Sequence, residues 1–195
     1  MDIDLLYEVN RLARATPWAH WWLHAYAAYG ICVFAALLLA AWWAARRSRD
    51  ATRMAAAVCA ALSVPLAVAL NQPIVALFAR PRPYTTHADL LILATRSSDW
   101  SFPSDHATMA GAAAAGLWLV SRRLSALAVI AALLMAFARV YIGAHYPADV
   151  AAGLLVGAVV AVIVYLATRT LLSRLVTAMN QTRLRPLVAA APATT

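Results

Sequence analysis

Three polar clusters interrupt an otherwise apolar chain, and their residue types suit the handling of phosphate. The first, "NQPIVALFARPRPY", runs from Asn71 to Tyr84 and ends with Arg80 and Arg82; the second, "SFPSDH", runs from Ser101 to His106; the third, "ARVYIGAHYPADV", holds Arg139, His145 and Asp149. Guanidinium groups are planar, permanently charged forks that match phosphate oxygens. Pro103 suits the first turn of a helix capped by Ser101, which would leave the backbone N–H groups around Ser104, Asp105 and His106 facing an anion. His145 and Asp149 stand four apart across Pro147, so one helical turn brings the carboxylate to a ring nitrogen. That contact would fix the tautomer and expose the other nitrogen as nucleophile or base. His106 offers a second imidazole to protonate a leaving oxygen. Two histidines, an aspartate and an arginine clamp describe phosphoryl transfer that needs no metal or other cofactor, and no carboxylate cluster is placed to ligate one.

These clusters must be carried by membrane helices. The chain of 195 residues is 64% hydrophobic and only 12% charged, with a mean hydropathy of +0.72, far from the roughly 25% charged usage of soluble domains. Apolar runs at 22–45, 54–79, 104–121, 124–140 and 148–168 each approach the ~20 residues that a spanning helix requires. The expected fold is therefore all-α, a polytopic membrane bundle of five to six spans. Ahead of it, Ile3, Leu6, Tyr7, Val9, Leu12 and Ala13 form an amphipathic pattern, too short and too charged to cross, that lies at the interface. Residues 1–170 read as one membrane domain and 171–195 as a tail, with "LRPLVAAAPATT" expected to be disordered.

The net charge of +8 comes from arginine alone. Arg46, Arg47, Arg49 and Arg53 share one loop, Arg122 and Arg123 share another, and Arg169, Arg174, Arg183 and Arg185 mark the tail, a pattern of topology and not of nucleic-acid binding. The positive-inside rule puts these loops and the C-terminus in the cytoplasm and all three polar clusters outside. Cys32 and Cys59 fall in apolar runs without metal or disulfide spacing, and His20, His24 and His87 read as interfacial anchors. Gly153 and Gly157 permit close helix approach, usable within the bundle or between copies. Tyr84 and Trp100, amphipathic rings suited to the interface, suggest lateral lipid entry beside them.

Arg82-Pro83, "PSDH" and the Arg139-x5-His145-x3-Asp149 spacing, in that order, resemble the three signature motifs of the type-2 phosphatidic acid phosphatases, membrane lipid phosphatases that share a core with vanadium haloperoxidases. The resemblance implies that His145 attacks phosphorus to form a phosphohistidine, Asp149 orients it and His106 protonates the leaving lipid oxygen. It implies that Arg82, Arg139, Ser104 and the amides beside it hold the phosphate. Two departures stand out. The lysine usual in the first motif falls at Val75, with Arg80 or Asn71 as its substitute, and Asp105 replaces a frequent glycine and is expected to pair with Arg80 or Arg139. "RPRP", "SFPSDHAT" and "HYPxD" are most similar to the bacterial subgroup acting on undecaprenyl pyrophosphate. That similarity implies hydrolysis to undecaprenyl phosphate and inorganic phosphate at the outer face of a bacterial cytoplasmic membrane, with membrane lipids as surroundings. Phosphatidylglycerophosphate, phosphatidate or lipid A phosphatase activity is the alternative, and non-enzymatic binding of phospholipid headgroups the distant one.

Overall fold

The computed structural model describes residues 1–190. Within them the chain forms α1 (Asp2–Ala15), α2 (His20–Tyr29), α3 (Ile31–Ser48), α4 (Ala51–Phe78), α5 (Pro83–Thr86), α6 (Asp105–Trp118), α7 (Arg122–Tyr141), α8 (Pro147–Met179) and α9 (Arg185–Val188). No strand occurs among the described residues. Four helical segments, carried by α3, α4, α7 and α8, are long and apolar enough to cross a bilayer. The protein is a multi-pass membrane bundle, as its composition requires.

The helix starts follow from local chemistry. Asp50 accepts hydrogen bonds from the Thr52 and Arg53 amides at 2.8 and 3.3 Å and so caps α4. Pro147 opens α8 with Asp149 in its first turn, where a proline lacks only an amide hydrogen that would be unpaired in any case. The first apolar run divides at Gly30 into α2 and α3.

The third apolar run becomes α6, whose 14 residues reach only about 21 Å, short of the ~30 Å hydrocarbon core. It is the centre of the bundle, not one more lipid-facing span, and most of its residues are buried against α4, α7 and α8. Small side chains permit this. A Cβ on Gly157 would stand 1.9 Å from the Thr108 carbonyl oxygen, and one on Gly111 would stand 2.2 Å from that of Leu154. The Gly153 and Gly157 pair thus faces α6 within the same chain.

Helix directions bring the three polar clusters to one end. Asn71, near the end of α4, reaches the start of α6, while Ala60 packs beside Gly116 near its far end. The Ser104 amide donates to the Asp149 carbonyl at 3.0 Å, fixing the starts of α6 and α8 together. At this same end α1 lies across α7 and α8 with Leu6, Asn10 and Ala13 buried. The Asn10 side chain both donates to the Leu91 carbonyl (2.8 Å) and accepts from its amide (3.1 Å), pinning the long α5–α6 connection.

The arginine-rich turns collect at the opposite end. There α8 continues through position 171 to Met179, and α9 packs back on α3. Arg46 donates to the Pro186 carbonyl, Trp42 to that of Leu187, and the Ala190 amide to that of Arg46. Residues 184–190 are therefore packed chain, and the disorder expected for 191–195 lies outside the described residues.

Candidate active site

His145 is placed by a tight reversal between α7 and α8. Gly143 at φ +75° makes that turn, a backbone conformation that glycine adopts without strain. The reversal returns the imidazole to Arg139 in the last turn of α7, whose Nη2 is 3.1 Å from His145 Nε2. Arg82, the residue before α5, brings Nη1 to 3.2 Å from the same nitrogen. A guanidinium can only donate, so Nε2 must be the acceptor and the proton must sit on Nδ1. Nδ1–H is satisfied by the Ser101 carbonyl at 2.8 Å. Burial first, then the charges of Arg139 and Arg82, push His145 down to about 4 against the opposing pull of Asp149. The imidazole is neutral, with its tautomer fixed and its lone pair directed between two cations.

Asp149 reaches this histidine differently from the one-turn contact expected. Its Oδ2 lies 3.7 Å from Nδ1, too far for a hydrogen bond. Ser101 stands between them. Its hydroxyl donates to Asp149 Oδ2 and lies 3.4 Å from Nδ1. The fully buried carboxylate also accepts from the Tyr146 amide at 2.9 Å and from Arg80 Nη1 at 2.7 Å. Ser101 is thus a link in the site and not a helix cap. Ser104 takes the cap position, and Pro103 precedes α6 instead of opening it.

A cavity of about 260 Å³ opens in front of His145, walled by Arg82, Arg139 and His106, with Asp99, Trp100 and Asp105 at its sides. Ser104 Oγ and Arg139 Nε, at this end of the bundle, are among the buried polar atoms without a partner among the described residues. Groups of that kind cost free energy unless a ligand or water meets them. The cations of this wall are Arg82 and Arg139, and both approach His145 Nε2.

Arg80 and Asn71 do not supply a cation to the cavity wall. Arg80 spans Asp2 and Asp149, at 2.7 Å to each, and lies over the Tyr146 ring at 3.8 Å. Asn71 donates to the Pro103 carbonyl (3.1 Å) and to Asp105 Oδ1 (2.8 Å). Asp105, expected beside Arg80 or Arg139, is instead held by Asn71 and by Gln72 Nε2 at 3.0 and 3.1 Å. The reason is geometric: Arg80 is taken by the buried Asp149, whose charge needs a partner more than the half-open Asp105 does. Tyr84 is buried, its hydroxyl accepting from the Ser97 amide at 3.0 Å and donating to that residue's carbonyl at 3.1 Å, while Trp100 lines the cavity exposed. Tyr84 therefore holds the loop instead of offering a ring to lipid.

Sequence reasoning missed three contributors: the linking role of Ser101, Asp2 as a partner of Arg80, and Asp99. Asp99 Oδ2 is 2.8 Å from Arg82 Nη2. Burial works to raise its carboxyl, but the Ser97 hydrogen bond and the charge of Arg82 outweigh this and hold it below the usual range.

The chain is similar to several known proteins. Undecaprenyl-diphosphatase BcrC of Bacillus subtilis (strain 168) is 32% identical over 133 residues, 68% of this chain and 66% of that protein. The undecaprenyl-diphosphatase of Sulfolobus acidocaldarius is 34% identical over 97 residues, 49% of this chain and 47% of that protein. The chain thus spans about two thirds of the first relative's length and about half of the second's. The crystal structure of Aquifex aeolicus LpxE matches with a TM-score of 0.56 at 22% identity, covering 84% of this chain and 93% of that one, a likeness of fold. The family model of the PAP2 superfamily matches residues 54–173, which include every motif residue of the cavity and the helices that hold it, and the chain belongs to that superfamily.

Proposed function

We propose that this protein is a lipid phosphatase that hydrolyses undecaprenyl pyrophosphate to undecaprenyl phosphate and inorganic phosphate through a phosphohistidine on His145. The observation that carries the reading is the neutral His145 imidazole, with Nδ1–H on the Ser101 carbonyl and Nε2 at 3.1–3.2 Å from the guanidiniums of Arg139 and Arg82. A phosphate entering the cavity draws the arginine N–H groups to its own oxygens. That releases the Nε2 lone pair, so the nucleophile is freed by the group it attacks. Nε2 then bonds to phosphorus as the bond to the leaving oxygen breaks, and His106 supplies that oxygen with a proton; burial and then the charge of Arg139 push this imidazole down to about 4, so the negative charge of the bound phosphate is what holds its protonated form in place. The charge gained by the phosphorylated imidazole is met through Ser101 by Asp149. Water next attacks phosphorus while giving a proton to the now neutral His106, the P–N bond breaks with its electron pair returning to Nε2, and inorganic phosphate leaves. Ser104 and Arg139 Nε contribute the unpaired donors for phosphate oxygens, and Asp105 shapes the wall beside them.

The choice of a polyprenyl diphosphate follows the two similar proteins of that printed activity. The site end is assigned to the outer face of a bacterial cytoplasmic membrane, because the arginine-rich end, with the C-terminal segment packed on it, suits the cytoplasmic side. The test is phosphate release by purified protein in detergent with a chelator present, offering undecaprenyl pyrophosphate, phosphatidate and phosphatidylglycerophosphate in turn. The reading expects the pyrophosphate to be turned over fastest with the chelator making no difference. Faster release from either of the others would move the substrate assignment, and release from none would overturn the phosphatase itself.

A further inference from the structure

Arg82 has five N–H groups, and four are engaged by partners within the protein. Nε donates to the Asp99 carbonyl at 3.0 Å and Nη2 to the Asp99 carboxylate at 2.8 Å. Nη1 serves the Ala144 carbonyl at 3.1 Å and His145 Nε2 at 3.2 Å. One N–H therefore remains for a phosphate that the motif would have Arg82 grip with a fork. The two partners are unequal: the Arg82 side chain is 8% exposed and that of Asp99 is 60% exposed, on the long connection before α6. The cation is fixed in the wall, and the acid meets it from the open side of the same cavity.

Resting on the lipid phosphatase reading, we propose that Asp99 is the resident anion of the Arg82 fork and sets the affinity that an incoming phosphate must exceed. A ligand must take the place of a carboxylate that already makes charge-assisted hydrogen bonds, so every anion is weakened by a common factor. The consequence differs with charge. A phosphodiester headgroup carries one negative charge, no more than the carboxylate it would displace, whereas a terminal phosphate carries about 1.5 to 2 near neutral pH. The common factor leaves phosphodiester lipids unbound in a bilayer crowded with them, and the terminal phosphate still binds. The same carboxylate returns to Arg82 behind the departing inorganic phosphate and favours product release. Asp99 thus sets the affinity threshold of the site, leaving weak singly charged anions unbound, and forms no bond to the reacting phosphorus.

The test is equilibrium binding of radiolabelled inorganic phosphate to the full-length protein in detergent, with displacement by phosphatidylglycerol, comparing wild type with Asp99→Asn. The asparagine form should bind phosphate on the order of ten-fold more tightly. With the labelled phosphate held below its Kd, it should also be displaced by phosphatidylglycerol at mole fractions that leave the wild type untouched. Unchanged or weaker phosphate binding would overturn the proposal, because a residue that merely positioned Arg82 would lower affinity when lost. Asp99→Ser gives the same reading should the asparagine form fail to accumulate. The binding measurement needs no turnover, so failure of the phosphatase reading, seen as no release from any lipid phosphate by wild type, is distinguished from failure of this one.

Discussion

At the scale of single residues, the account turns on a histidine kept neutral by burial between two permanent cations. A group whose pKa falls on folding is harder to protonate in the native site than in the unfolded chain. The neutral form of His145 is accordingly retained well below the ordinary value of 6.5 and is lost only as the pH falls through about 4. The acid limb of a kcat/KM profile against pH should therefore lie near 4, and a limb at 6.5 would mean that the imidazole is solvated or that another group attacks. Ser101→Ala leaves the carbonyl that receives Nδ1–H but removes the hydroxyl between His145 and Asp149. We expect kcat to fall about ten-fold or more with KM little changed, since Ser101 does not line the cavity; steady-state kinetics on the purified variant would check this. His145, His106, Arg82 and Arg139 were legible in the sequence because ionisable groups beside apolar runs are expensive and stand out. Ser101 and Asp99 were not, because a serine before a proline and an aspartate in an unpatterned loop carry no spacing signal of their own.

At the scale of elements, α6 must approach α8 closely enough to put Ser104 against Asp149, and glycine makes that possible. A valine at Gly157 would force its Cβ against the Thr108 carbonyl, 1.9 Å away, and neither backbone can yield locally. Gly157→Val should therefore separate the two helices, lower the thermal midpoint in detergent by several degrees and reduce phosphate release even though it touches no polar group of the site. An unchanged midpoint would show that α8 can shift without cost. The apolar runs were readable from length and hydropathy. The burial of α6 was not, because a run rich in alanine and glycine has the same hydropathy whether it meets lipid or other helices. The small residues were the available clue to its central place, and they bear equally on packing between copies.

At the scale of the whole molecule, α1, the first motif and α8 converge on one buried carboxylate. Asp2 pairs with Arg80, Arg80 with Asp149, and the Ala148 amide donates back to Asp2 at 2.8 Å. Arg80→Ala would leave Asp149 ionised and buried without its cation. Losses of about 3–5 kcal/mol accompany such removals, and the 30% exposure of the Arg80 side chain places this one at the low end through solvent screening. Denaturant titration in detergent should register that loss, whereas a neutral result would mean that water replaces the guanidinium.

The central claim, that His145 carries the phosphoryl group, is tested most directly by acid-free quenching of a single turnover with undecaprenyl pyrophosphate labelled in its terminal phosphate, followed by mapping of the label. The account predicts a phosphoenzyme that survives alkali, is lost in acid, maps to the peptide containing His145 and is absent from His145→Ala. Label on another residue, or retained by His145→Ala, would contradict it.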